Sequence, residues 1–166
     1  MRSDPTLRPP GRPRVVLAIE SSGPGGAEHV VLRLAQALLA DGAPAIVATQ
    51  RPGWLTERVE RAGGEVWLVP QRPGLDPAWV ARLALRLRRE RIEVLHAHEF
   101  AMGLFGGIAA RLAGVRVVAT LHGRQWLAGR ASRPHAWRLL ARAGVRHVAV
   151  STDLATWLAA ATRLPG

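Results

Sequence analysis

The chain has 166 residues and a hydrophobic content of 48%. That suits one domain with a real core and excludes general disorder. Cysteine is absent, which excludes disulfides and thiolate metal sites and gives no sign of an oxidising compartment. The formal net charge is +11, and all 23 basic residues are arginine, with lysine, asparagine and tyrosine missing. So lopsided a composition reads at least as much as a GC-rich coding bias as an attraction to phosphates or an anionic surface.

Residues 1–13, MRSDPTLRPPGRP, are rich in proline and arginine and lack the apolar core of a signal peptide, so a disordered tail is expected. From Val15 onward, apolar runs of strand length alternate with helix-period segments. Strands are expected at Val15–Ile19, Ala45–Thr49, Glu65–Val69, Val94–Ala97, Val115–Leu121 and Val145–Val150. Helices are expected at about Ala27–Ala40, Gly53–Ala62, Pro77–Arg91, Ala101–Ala113, Pro134–Ala143 and Thr152–Ala160. In the first, Val30, Leu34, Ala37 and Leu38 form an apolar stripe. In the third, Val80, Leu83, Ala84 and Leu87 face the core and Arg82, Arg86 and Arg89 the opposite side. Asp41-Gly42, Gly63-Gly64 and Gly114 stand where helices should stop. Each strand-helix-strand unit takes roughly 25–30 residues, the βαβ spacing of an open α/β fold. The expectation is one Rossmann-like parallel sheet over residues 14–166, with helices on both faces. The longest uncharged apolar run, Phe100 to Ala110, is far short of the ~20 residues a membrane span needs.

Ligands of such sheets bind outside the carboxyl ends of the strands, which selects the loops after Ile19, Thr49, Ala97 and Leu121. The first reads Glu20-Ser-Ser-Gly-Pro-Gly-Gly-Ala-Glu28 and opens a helix, so its glycines let backbone N–H groups approach a ligand. It is not a dinucleotide fingerprint. Glu28 stands at the third glycine position, and the second strand ends in Thr49-Gln50 where an acidic residue is required. Glu28 also complements the helix dipole as a capping carboxylate. At the fourth strand's end, His96-Ala-His98-Glu99 puts two imidazoles on one face. A metal set of His96, His98 and Glu99 is weak, because no further ligand has a motif-like spacing. The preferred reading is a polar, ligand-facing pair. The fifth strand ends in Thr120-Leu-His122-Gly123-Arg124, where His122 can donate a hydrogen bond or shuttle a proton and Arg124 can pair with a phosphate or simply be solvated.

In order, the chain presents GGAEHVVLRLAQALLADG, GWLTERVERAGGEV, IEVLHAHEF, VRVVATLHG and VRHVAVSTDLATWL. This series resembles the N-terminal domain of retaining family-4 GT-B glycosyltransferases over nearly all of Val15 to Leu158. The resemblance implies two Rossmann-like domains with the active site between them, an acceptor-recognising N-terminal half and no metal or cofactor. It implies a nucleotide-sugar donor and a glycan or lipid-linked acceptor, with hexosyl transfer the reaction. On the matching residues, Gly25, Gly26 and Glu28 form the loop against the donor diphosphate and acceptor. His98 and Glu99 form the cleft segment, and His122, with Gly123 and Arg124 beside it, meets the donor sugar near the reaction centre. Ser151 opens the last helix as a cap or a ligand contact.

Family members continue into a C-terminal donor domain, whereas these residues stop at Thr162-Arg-Leu-Pro-Gly166. The expectation is therefore a chain that transfers little or no sugar alone, as a fragment or as one part of a split enzyme. A cytoplasmic location follows, with peripheral contact to anionic membrane through Arg82, Arg86, Arg88, Arg89 and Arg91 as an added expectation. A non-enzymatic nucleotide- or phosphate-binding Rossmann module is the rival reading. Nucleic-acid binding rests on charge alone, since the six Trp and two Phe are scattered and no recognition motif is present.

Overall fold

The computed structural model describes residues 13–72, 74, 76–128 and 132–163, so the expected N-terminal tail lies almost wholly outside the described residues. Its elements run β1 (Val15–Ala18), α1 (Gly26–Ala40), β2 (Ile46–Thr49), α2 (Trp54–Arg61), β3 (Glu65–Leu68), α3 (Pro77–Arg89) and β4 (Val94–His98). A π-helical turn at Met102–Gly106 then enters α4 (Gly107–Leu112). The remainder is β5 (Arg116–Leu121), α5 (Gln125–Ala128), α6 (Ser132–Arg142), β6 (Arg146–Ala149) and α7 (Thr152–Thr162). All six strands are parallel, in the order β3-β2-β1-β4-β5-β6. The Rossmann-like α/β sheet expected from the sequence is the fold.

Side-chain alternation splits the core between the two faces of the sheet. Val16 and Ala18 of β1 pack with Trp67, Leu83, Leu87 and Trp137 on one face, while Leu17 and Ile19 pack with Val31, Ala35, Leu55 and Val59 on the other. Strand β1 is therefore apolar throughout and β2 is apolar up to its final Thr49, as suits strands covered on both faces. The edge strands β3 and β6 carry exposed Glu65 and Arg146, which suits positions that meet water.

Gly63 and Gly114 take left-handed backbone angles, φ 90° and 76°, just past α2 and α4, as helix-stop glycines should. The third helix stops earlier than expected. Arg91 takes the left-handed position (φ 51°), and the Ile92 N–H closes onto the Leu87 carbonyl at 2.9 Å. No glycine marks that turn, so no local signal announces the stop.

Two side-chain assignments also change. In α1 the core face is Glu28, Val31 and Ala35, with Leu34 and Leu38 partly buried against it; Val30 and Ala37 are exposed. Apolar residues surround much of this helix, and the buried carboxylate of Glu28 sets its rotation. In α3 the four expected core residues are buried together with Trp79. Arg86 is not on a solvated face: its guanidinium stacks 4.1 Å over the Trp67 ring, where desolvation lowers its pKa.

The segment expected as one helix from Ala101 is wound more widely at its start. Gly103 lies where an added Cβ would stand 2.7 Å from Trp137 Cη2, and Gly106 packs against Met102 and Leu95. The chain thus passes the buried indole closely in a π-helical turn directly after β4, a deformation that recurs near functional sites.

Candidate functional site

Between β1 and β4 the sheet order reverses, and the loops after these strands diverge to leave a crevice at their carboxyl ends. The loop after β1 is held from its neighbour. The Thr49 hydroxyl donates to the carbonyls of Glu20 (3.3 Å) and Ser21 (3.2 Å). The N–H groups of Leu55 and Thr56 donate to the Ser22 carbonyl and hydroxyl, so the N-terminus of α2 grips the loop. Gly53 makes this approach possible, since a Cβ there would stand 2.8 Å from the Ser22 carbonyl oxygen.

Glu28 folds back into the loop it follows. It is only 6% exposed, and its carboxylate accepts a short hydrogen bond from the Ser21 hydroxyl. Gly25 caps α1 directly against that carboxylate, whereas Gly26 faces open space.

The histidines come together as the strand register dictates, because His98 of β4 pairs with Thr120 of β5. His96 Nε2 lies 2.8 Å from the Thr120 hydroxyl, and His98 Nδ1 lies 2.9 Å from His122 Nε2. His98 is fully buried. Burial first, then the neighbouring rings of His96 and His122, press its pKa down to about 2. His96 is lowered by burial and by His122, and His122 by burial against an opposing pull from Glu28. The set is a column of neutral imidazoles.

Glu99 follows directly, in the left-handed region at φ 68°, an uncommon conformation for a non-glycine residue and one that marks a constrained position. Burial, followed by the like charges of Glu20 and Glu28, raises its pKa to about 7. Glu20 is raised by burial too, offset in part by Arg133. These groups border one cleft of about 730 Å³, walled by Glu20, Ser21, Gly26, Glu28, Glu99 and His122, with Gln50, Arg51 and Gln125 at its margin.

Of the residues singled out in the sequence, Gly26, Glu28, Glu99 and His122 line this cleft. His98 stands behind His122 as buried support, and Gly25 is the close-packed corner of the loop. Gly123 sits beside the Gln125 side chain. Arg124, read as a phosphate partner or a solvated cation, instead pairs with Asp153 at the start of α7 and lies 5.7 Å from the Trp157 ring. Ser151 is a helix cap, its hydroxyl accepting from the Leu154 N–H. Sequence reasoning missed Gln50, Arg51 and Gln125, although the strand-end rule had selected the loop after Thr49. Among the described residues no three His, Cys, Asp or Glu side chains are grouped to hold a metal ion.

The family profile of Glycosyltransferase Family 4 matches residues 24–166. The chain belongs to glycosyltransferase family 4. No curated protein matches it. Among solved structures, this family-4 chain is similar to Anabaena HepE in complex with UDP-glucose, at 20% identity and TM-score 0.74, over 90% of this chain and 41% of that one. It is likewise similar to a glycosyltransferase from Rickettsia africae, at 16% identity and TM-score 0.75, over 92% of this chain and 41% of that one. Acinetobacter baumannii MurG superposes less closely, at 16% identity and TM-score 0.58, over 82% of this chain and 41% of that one. The family-4 chain thus spans about two fifths of the length of the structures it matches. Its architecture is that of the N-terminal Rossmann-like domain of a GT-B enzyme.

Proposed function

We propose that this domain is the acceptor-side half of a glycosyltransferase that moves a hexose from a nucleotide-sugar to a glycan or lipid-linked acceptor. The observation that carries the reading is the chemistry of the cleft wall: three carboxylates and an imidazole around a glycine loop, with Arg51 the one lining cation among the described residues. Carboxylates accept hydrogen bonds from sugar hydroxyls, and they repel a diphosphate. Such a wall suits an acceptor and the sugar ring, while the charge of the diphosphate is neutralised from the opposing half.

Each residue then has a task. Gly26, open at the N-terminus of α1, lets the sugar and the near edge of the diphosphate approach the backbone. Glu20 and Glu99 hold acceptor hydroxyls, with Glu99 able to give or take a hydrogen bond near neutral pH. His122 donates to an oxygen of the donor sugar. Catalysis in this scheme consists of alignment and of stabilising the leaving diphosphate. HepE, whose structures contain UDP and UDP-glucose, supports a nucleotide-sugar as the donor class. The 166-residue chain by itself transfers sugar negligibly on this reading, because most donor contacts belong to the other half.

Titration calorimetry on the isolated chain separates this from the rival phosphate-binding module. Weak or undetectable binding of nucleotides and nucleotide-sugars is expected, and submicromolar nucleotide affinity would transfer support to the module.

No helix among the described residues is long and apolar enough to cross a membrane. Peripheral contact, as part of the same proposal, would use the arginine-rich end of α3. Arg82 and Arg89 there are well exposed, at 63% and 78% of their side chains. Co-sedimentation with vesicles that is lost when anionic lipid is omitted is the expected behaviour, and sedimentation independent of anionic lipid would contradict it.

A further inference from the structure

The 2.9 Å contact between His98 Nδ1 and His122 Nε2 requires one proton between them, since one nitrogen must donate and the other accept. Two arrangements meet this condition. In the first, His98 donates from Nδ1 and His122 carries its own proton on Nδ1. In the second, His122 donates from Nε2 and His98 carries its proton on Nε2.

The surroundings of His98 decide between them. Its ring is fully buried, and Nε2 has no hydrogen-bond partner. The second arrangement would therefore bury an N–H with nothing to receive it, whereas the first leaves only an unshared lone pair. Orphaned buried N–H groups are the rarer case, because the donor forfeits its hydrogen bond to water without replacement. His98 also has a single ring proton to place, as burial and the flanking imidazoles keep it neutral.

We propose that His98 is a positioning residue that fixes His122 as the neutral Nδ1–H tautomer, so that His122 offers the cleft a hydrogen-bond donor and not a proton acceptor. His122 lines the cleft with Nε2 engaged inward, which leaves Nδ1 as the ring nitrogen for a ligand. Protonation of His122 at Nε2 would force the His98 proton onto its unpartnered nitrogen. Burial opposes that protonation and the Glu28 carboxylate favours it; losing the His98 donor opposes it further. A donor held in this way grips a ligand oxygen, and proton shuttling by His122 is blocked. The role toward a sugar oxygen rests on the function proposed above; the tautomer itself does not.

Long-range proton–nitrogen correlation spectra of the 15N-histidine-labelled 166-residue chain at pH 7 test this without any transfer assay. Both His98 and His122 should show the Nδ1–H pattern, although the Nε2–H form is the usual one for a free imidazole. His98→Asp, whose carboxylate can only accept, should place a proton on His122 Nε2. An Nε2–H or doubly protonated His122 in the wild type would overturn the proposal, as would a His122 protonated at Nδ1 alone in folded His98→Asp. If the aspartate variant does not fold, the wild-type spectrum decides. A confirmed tautomer with no sugar transfer by the complete enzyme would refute the proposed function and leave this inference standing.

Discussion

The Glu28 carboxylate fills the space that a side chain at position 25 would need, so Gly25 and Glu28 share one corner of the cleft wall. Gly25 has an ordinary extended backbone there (φ −87°, ψ 170°), and contact, not conformation, is what requires a glycine. Gly25→Ala is therefore expected to dislodge Glu28 from Ser21. The stability cost should be small, about 1 kcal/mol or less, because the displaced atoms end a flexible side chain. Sugar transfer by the complete enzyme should fall by roughly 100-fold, the scale for misplacing a bound group by about 1 Å. A double-mutant cycle with Glu28→Ala checks the pairing: the two effects should be strongly non-additive.

Gly103 and Trp137 give a purely structural counterpart. A Cβ at residue 103 would stand 2.7 Å from a ring that is fully buried and stacked between Phe100 and His147. Gly103→Ala should cost about 1–3 kcal/mol in urea unfolding, the usual range for overpacking. Adding Trp137→Phe should return part of that loss, and an unperturbed single variant would mean that the indole has room to move.

The buried ionisable groups give the stability a defined pH dependence. His98, pressed to about 2, and His147, lowered by burial to about 4, bind fewer protons in the native than in the unfolded state. Their contribution is present above the unfolded value of 6.5 and is lost as pH falls, by about 1.4 kcal/mol per unit for His98. Glu99 acts in the opposite sense: its native pKa of about 7 lies above the unfolded 4.5, so its contribution is lost as pH rises through 7. Below pH 6.5 these two histidines, with His96 and His122 lowered in the same sense, outnumber the raised carboxyls of Glu99 and Glu20, and the urea midpoint should drop. Above 7, Glu99→Gln should be more stable than wild type. A midpoint that stays flat from pH 5 to 7 would show the histidines to be solvated.

Arg51 and Arg124 should respond differently to removal. Arg124 pairs with Asp153 at the surface, where both side chains are largely exposed, at 47% and 80%. Exposed ion pairs contribute little, so Arg124→Ala should change stability by about 0.5 kcal/mol or less and leave ligand affinity intact. Arg51 lines the cleft, and Arg51→Ala should weaken binding of the anionic donor to the complete enzyme by calorimetry. Reversed effects would return the phosphate role to Arg124.

The sheet and its strand ends were readable from the sequence because apolar runs, glycine stops and βαβ spacing are local signals. His98, Glu99 and His122 were found for the same reason, as polar residues ending apolar strands. What stayed hidden depended on packing. The rotation of α1 follows from burying Glu28, and the early stop of α3 from Arg91 taking a glycine-like conformation. The turn at Gly103 answers to a tryptophan more than thirty positions away. Arg124 could not be assigned locally, because Asp153 arrives from the last helix.

The most direct test of the acceptor-side account is sugar transfer from a nucleotide-sugar with a donor half supplied in cis or in trans, comparing wild type with His122→Ala. The account predicts transfer by the wild-type pair and a fall in kcat of roughly 100-fold or more in the variant, the scale for losing one preorganised donor at a reaction centre. Full transfer activity in a folded His122→Ala chain would contradict it.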